Sequence, residues 1–112
     1  MNPDDLRRLE TVGVVTDVPT GHVLIEHGQH GSGFYVILEG SVVVEAPEGT
    51  RDLGPGAIVG ERALFSADGR RTARVRATTD LRVLAVDRVD LERLCSDDAG
   101  LADRVVEAGL YY

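Results

Sequence analysis

From His22 to Val86 the chain is a succession of short β-rich segments with only turn residues between them. That pattern constrains the fold more than any other feature of the sequence. His22 to Glu26 reads as a strand, and Gly28, Gly31 and Gly33 mark turns before the run Phe34-Tyr35-Val36-Ile37-Leu38. Glu39-Gly40 then separates this run from Ser41-Val42-Val43-Val44-Glu45, which predicts a hairpin. Pro47-Glu48-Gly49 is a further turn, Arg51 to Leu53 a short strand and Gly54-Pro55-Gly56 another turn. Ala73 to Ala77 alternates apolar and polar residues with period two, and Leu81 to Val86 does so more loosely. Strands at this spacing belong to a sandwich or a barrel.

Helical signals are confined to the two ends. Asp4 to Thr11 carries Leu6 and Leu9 three apart, with Asp4 and Asp5 near the positive end of the helix dipole. Asp87 is placed to cap a helix from Arg88 to Cys95, and Ser96 to cap a second, from about Asp97 to Ala108. Leu101, Val105 and Ala108 form the apolar stripe of that second helix, and Gly109 is expected to stop it. The expected architecture is mainly β: a jelly-roll β-barrel of about 18–86, a short N-terminal helix over about 4–11 and C-terminal helices over about 88–108, all in one domain spanning 1–112. A chain of 112 residues is enough for one core.

Composition removes several classes of function. All twelve basic residues are arginine, so mechanisms that need a lysine, such as Walker-type phosphate loops and Schiff-base chemistry, are absent. The net charge of -7 argues against direct nucleic-acid binding and against docking on an anionic membrane. No apolar run approaches the roughly 18 residues of a membrane span. The start, Met1-Asn2-Pro3-Asp4-Asp5, has no basic n-region or apolar h-region, and Cys95 is the single cysteine, so a cytoplasmic location is expected. Gly60 to Arg76 nevertheless holds five arginines against two acids, a local excess of positive charge that suits a small anion.

Three constellations bear on chemistry. Gly54-Pro55-Gly56-Ala57-Ile58-Val59-Gly60 approaches a dinucleotide fingerprint, but its last gap is one residue too long and it lacks a βαβ setting. His22, His27 and His30 raise the question of a cupin-type metal site; Gln29 stands where a second strand histidine would be needed, and no histidine follows His30. The third constellation is Gly60-Glu61-Arg62-Ala63-Leu64-Phe65 with Arg71-Thr72-Ala73. Gly60 permits close backbone approach to a ligand, and a helical turn from Glu61 would aim free amides at an anion. Arg71 supplies a planar fork for two phosphate oxygens, and Thr72 a hydroxyl. A carboxylate beside a phosphate site is repulsive unless it accepts hydrogen bonds from another part of the ligand, such as a sugar hydroxyl. A sugar phosphate satisfies all of these groups together.

Val59 to Phe65 followed by Arg71 to Ala77 resembles the phosphate-binding cassette of cyclic-nucleotide-binding domains, the family of catabolite activator protein and the regulatory parts of cyclic-nucleotide-dependent kinases. The resemblance runs from about Val18 to Leu94 and includes Gly21 to Ile25, Gly28, Phe34 to Val44 and Leu53 to Gly56. It implies a jelly roll that binds a cyclic nucleotide. Glu61 would receive the ribose 2′-hydroxyl and Arg71 would pair with the cyclic phosphate, with Thr72 and the amides of Gly60, Glu61, Arg62 and Ala63 completing the cradle. Val59 stands where the family often has phenylalanine, Arg62 where it has an apolar residue and Arg70 where proline is frequent. Arg62 and Arg70 either extend the anion site or stand as solvated surface charges.

The resulting expectation is a non-enzymatic sensor that needs no cofactor, takes cyclic AMP or cyclic GMP as ligand and works through a protein partner or a homodimer. Similarity of the stretch through Val75-Arg76-Ala77 to the bacterial activators favours cyclic AMP, and Tyr111 and Tyr112 are candidates for a lid over the purine. Only 18 residues follow Leu94, so no fused DNA-binding domain is expected. The alternative function is a ligand-free jelly roll that serves as a protein-interaction domain.

Overall fold

The computed structural model describes residues 1–29, 31, 33–61, 71 and 73–110, the last by its backbone. Helix α1 (Pro3–Glu10) starts from Asn2, whose side chain accepts the amide of Asp5 at 2.8 Å, while Pro3 occupies a position whose amide would be unpaired in any case. Eight strands follow: β1 (Val14–Val18), β2 (Val23–Ile25), β3 (Gly33–Glu39), β4 (Val42–Ala46), β5 (Gly49–Leu53), β6 (Ile58–Val59), β7 (Arg74–Ala77) and β8 (Leu81–Asp87). Helices α2 (Arg88–Cys95) and α3 (Leu101–Leu110) end the described chain. The strands form two antiparallel four-stranded sheets, ordered β1-β8-β3-β6 and β2-β7-β4-β5, the two halves of a jelly roll without closure into one hydrogen-bonded barrel. Among the described residues no helix is long and apolar enough to cross a membrane.

Within the β1-β8-β3-β6 sheet, β8, β3 and β6 are buried on both faces, while the edge strand β1 is largely exposed. Ile37, Val59, Leu81 and Val83 point to the other sheet, where they join Ile25, Val42 and Val75 in the inter-sheet core. Phe34, Val36, Ile58, Leu84 and Val86 point outward, where the helices cover them with Leu9, Leu91, Leu101 and Val105. Two-sided burial is why Phe34 to Leu38 reads as a continuous apolar run. The other sheet is solvated on its outer face, so β7 alternates: Val75 and Ala77 are buried, while Arg74 and Arg76 pair with Glu26 and Glu45 outside.

The expected hairpin at Glu39-Gly40 does not form. β3 and β4 lie in different sheets, and the turn between them carries the chain across. Gly40 adopts φ +89°, open to glycine at no cost, and a Cβ there would stand 2.8 Å from Thr79 Oγ1. The crossing is docked on a second crossing at 78–80: the Ser41 amide donates to Thr79 Oγ1 at 3.0 Å and the Thr78 amide to Ser41 O at 3.0 Å. The hairpin that does form joins β4 to β5 through Pro47-Glu48, with Ala46 opposite Gly49.

The C-terminal end also differs from its sequence reading. Asp87 occupies the position before α2, but its side chain makes no capping hydrogen bond. Ser96 closes α2 instead of opening the next helix: its hydroxyl donates to Arg93 O at 2.7 Å. A turn through Asp98 then delays α3 to Leu101, and α3 continues through Gly109 to Leu110. An ion network fixes α3 to the N-terminus. Arg104 holds the buried carboxylate of Asp5 in a two-pronged contact, Nε to Oδ2 at 2.8 Å and Nη2 to Oδ1 at 3.0 Å, and also pairs with Asp98, which in turn pairs with Arg8 of α1.

Candidate functional site

A cavity of about 390 Å³ opens between the inner face of the β2-β7-β4-β5 sheet, the end of β6 and α3. Its floor is a cross-strand row in direct register: Ile25 on β2 faces Val75 on β7, Val75 faces Val44 on β4, and Val44 faces Arg51 on β5. Opposed residues in adjacent strands share a face, so these four side chains stand side by side. The wall above the Ile25 end is Gly60 and Glu61, with Arg71 and Gly109 beside them.

Each residue at that end is held by specific surroundings. Gly60 has φ +86°, and a Cβ would lie 3.0 Å from both Arg71 Nη1 and Ile25 Cδ1, so the turn after β6 is closed to larger residues by conformation and by space. Glu61 follows at once and is buried, 8% exposed, a rare state for a carboxylate. Its carboxylate lies against α3, where a Cβ on Gly109 would stand 2.6 Å from Oε1. Arg71 is pinned through its backbone, since its amide donates to Gln29 O at 2.7 Å and its carbonyl accepts from Gly28 at 2.9 Å. Its guanidinium rests on Gly31, where a Cβ would come within 2.5 Å of Cζ, and Nη1 donates to Gly33 O at 2.8 Å and Gly60 O at 3.1 Å.

Burial holds the Arg71 guanidinium below its ordinary pKa, with Tyr35 acting in the opposite sense. An arginine so placed is still a cation at physiological pH. With Nη1 turned to two carbonyls, the Nε and Nη2 edge has no partner among the described residues and keeps the geometry of a two-pronged anion contact. The cavity thus pairs a cationic fork with a buried carboxylate at one end and an apolar floor leading away from them.

Of the candidate residues, Gly60, Glu61 and Arg71 come together on this wall although ten positions separate the last two. Arg62, Ala63 and Thr72 lie outside the described residues, as do Arg70, His30 and the two terminal tyrosines. Among the described residues no group of three His, Cys, Asp or Glu side chains is placed to hold a metal ion. The sequence reading passed over Gly31, Gly33, Gly109 and Arg51. The first two were read as turn markers, and glycine spacing alone does not say which side chain a bare Cα accommodates.

The cyclic nucleotide-binding domain family model matches residues 15–98. The chain belongs to that family. It is 38% identical over 86 residues to a cyclic nucleotide-gated potassium channel of Mesorhizobium japonicum, a match covering 77% of this chain and 24% of the channel. The catabolite activator protein of Thermus thermophilus superposes with a TM-score of 0.79 at 26% identity, covering 99% of this chain and 54% of that one. A structure from a cyclic-GMP-dependent signalling pathway of bacterial phytopathogenesis superposes with a TM-score of 0.88 over 99% of this chain and 92% of that chain; at 24% identity it shows the shared fold. This cyclic nucleotide-binding domain therefore spans about a quarter of the length of its channel relative.

Proposed function

We propose that this cyclic nucleotide-binding domain is a non-enzymatic sensor whose ligand occupies the cavity between β6, α3 and the β2-β7-β4-β5 sheet. The observation that carries the reading is the placement of Arg71 and Glu61 on one wall of that cavity. The Arg71 fork suits the cyclic phosphate, the Glu61 carboxylate accepts the ribose 2′-hydroxyl, and Ile25, Val75 and Val44 supply an apolar surface for a base. Arg62, Ala63 and Thr72 complete the cradle in this proposal. The cavity is of the size that small ligands use, roughly 300 to 1,000 Å³. Nothing among the described lining residues pairs a nucleophile with a base, which supports binding rather than turnover.

Cyclic AMP, favoured by the sequence resemblance, and cyclic GMP present the same phosphate and ribose to Arg71 and Glu61. The choice between them falls to the base. Gly109 lies on the cavity wall, so occupancy is communicated through α3 to a partner or to a further domain, in the cytoplasm. A thermal-shift panel with cyclic AMP, cyclic GMP and divalent metals tests the proposal. A nucleotide at about a hundred times its dissociation constant adds roughly 2.7 kcal/mol of stability. A shift with metal alone rejects it in favour of a metal site, and no shift with either nucleotide or with metal rejects it in favour of a ligand-free interaction domain.

A further inference from the structure

Among the described residues the two sheets end in four edge strands, β1, β6, β2 and β5. An unpaired edge is a row of free backbone donors and acceptors that another extended chain can join, and proteins usually blunt it. Three of these edges are blunted. β6 is two buried residues packed against α3, the register of β2 shifts between Val23 and Ile25, and β5 exposes Gly49, Thr50, Arg51 and Asp52. β1 has none of these protections. It pairs with β8 in unbroken register from Val14 to Val18, contains no proline, and leaves Val14 64% and Val15 54% exposed. Its one charged residue, Asp17, is turned back to Arg82 of β8 at 3.0 Å.

A second cavity, of about 380 Å³, adjoins this edge. Val14 faces Ala85 and Ala85 faces Tyr35 across β1, β8 and β3, so the three share one face of the sheet and line the cavity together. Asp87 and Asp90, at the head of α2, line it too, and Arg71 lines both this cavity and the first. Among the described lining residues two carboxylates therefore stand against one guanidinium, and that guanidinium already donates to the carbonyls of Gly33 and Gly60. Asp90 pairs with Arg93 at 3.3 Å, a solvent-exposed contact of the kind that contributes little.

We propose that β1 docks an extended, basic segment of another protein. The segment adds a fifth strand to the β1-β8-β3-β6 sheet, its main chain bonding to the unpaired edge. On the face of Val14 an arginine or lysine lays its aliphatic stem over that valine and carries its charge towards Asp90 and Asp87. On the opposite face an apolar residue covers Val15. Charge decides between this occupant and a second copy of the chain. A copy brings the same net charge of -7, and its own β1 offers Asp17 and no cation. The docking edge is independent of the ligand in the first cavity.

A blocked peptide of about nine residues, alternating valine and arginine, is titrated into the whole chain, with affinity read by calorimetry and amide hydrogen exchange by NMR. It should bind at one site and slow exchange at Val14 to Val18, and its counterpart alternating valine and glutamate should not bind. Val14→Lys, which places a cation on the edge, should weaken binding about tenfold at an unchanged melting temperature, since Val14 is exposed. Asp90→Asn should weaken it about threefold, whereas Asp52→Asn, the same change of charge on β5, should leave it unchanged. Binding that leaves exchange at Val14 to Val18 unaltered, equal losses in Asp90→Asn and Asp52→Asn, or equal affinity for the two peptides each reduces the interaction to general charge attraction and overturns the docking edge. Failure of the arginine peptide to bind at about 1 mM overturns it as well. A dimer of the chain alone that Val14→Lys dissolves assigns the edge to a second copy instead.

Discussion

Gly109 on α3 lies directly against the buried carboxylate of Glu61, with room for no further atom: a Cβ there would stand 2.5 Å from Glu61 Cδ. Gly109→Ala must therefore shift either the carboxylate or the helix. The exchange also gains about 1 kcal/mol of helix propensity, which offsets the strain, so the melting temperature should change little. Affinity for a cyclic nucleotide should fall several-fold, and calorimetry on the variant measures it. Unchanged affinity would mean that Glu61 has freedom the packing does not reveal.

Arg71→Ala should reduce cyclic-nucleotide affinity on the order of a hundredfold, since a charge-assisted contact contributes about 1.5 to 3 kcal/mol and this one is two-pronged. Arg71→Lys should recover little, because an ammonium cannot span two phosphate oxygens while also meeting the carbonyls of Gly33 and Gly60. A loss below threefold in Arg71→Ala, with the fold intact, would take Arg71 out of the site.

Glu61 tests the sugar. The 2′-deoxy analogue should bind the wild type about one to two orders of magnitude more weakly than the parent nucleotide, because the buried carboxylate would lose its ligand partner. In Glu61→Ala the two ligands should become equivalent. Equal affinity in the wild type would assign Glu61 to the structure alone.

The network joining α1 to α3 makes stability depend on acid. Hydrogen bonds from Arg104, and secondarily from Arg8, hold the Asp98 carboxyl below its ordinary range, and the Thr20 amide and hydroxyl do the same for Asp80. A carboxyl lowered in the folded state stabilises it fully above the unfolded pKa of about 4, and that contribution is lost as pH falls through the lowered native value. Melting temperature should therefore be flat from pH 7 to about 5 and fall below about 4. Asp98→Asn should shallow that fall, and an unchanged acid limb in Asp98→Asn would show that Asp98 does not carry it.

Removing Arg104 leaves the carboxylate of Asp5, on the buried face of α1, without its partner. Arg104→Ala should lower the melting temperature clearly, whereas Arg7→Ala, which breaks an exposed pair with Asp4, should leave it nearly unchanged. Equal effects in the two variants would mean that the network does not anchor α3.

Periodicity and turn chemistry are local, and they were legible. Phe34 to Leu38, Ala73 to Ala77 and Leu81 to Val86 announce strands because burial is written into their pattern, as alternation where one face is buried and as a continuous apolar run where both are. β1 was missed for the converse reason: Val14 to Asp17 are exposed at a sheet edge, so no buried face imposes a pattern on them. Gly60, Glu61 and Arg71, which share the cavity wall, could be singled out in the sequence because the phosphate, the sugar hydroxyl and the close backbone approach of the proposed ligand would each demand a particular residue type.

What tertiary structure alone decided is which elements meet. Glu39-Gly40 has the composition of a hairpin turn, yet docking against 78–80 sends β3 and β4 into different sheets. Gly109 has the composition of a helix stop, yet α3 continues through it, and Glu61 occupies the space that a side chain there would fill. Arg51 looks in sequence like any other arginine. Only the register of β5 on β4 and β4 on β7 puts it on the cavity floor, because which face a residue occupies depends on long-range pairing that no neighbour in the chain encodes.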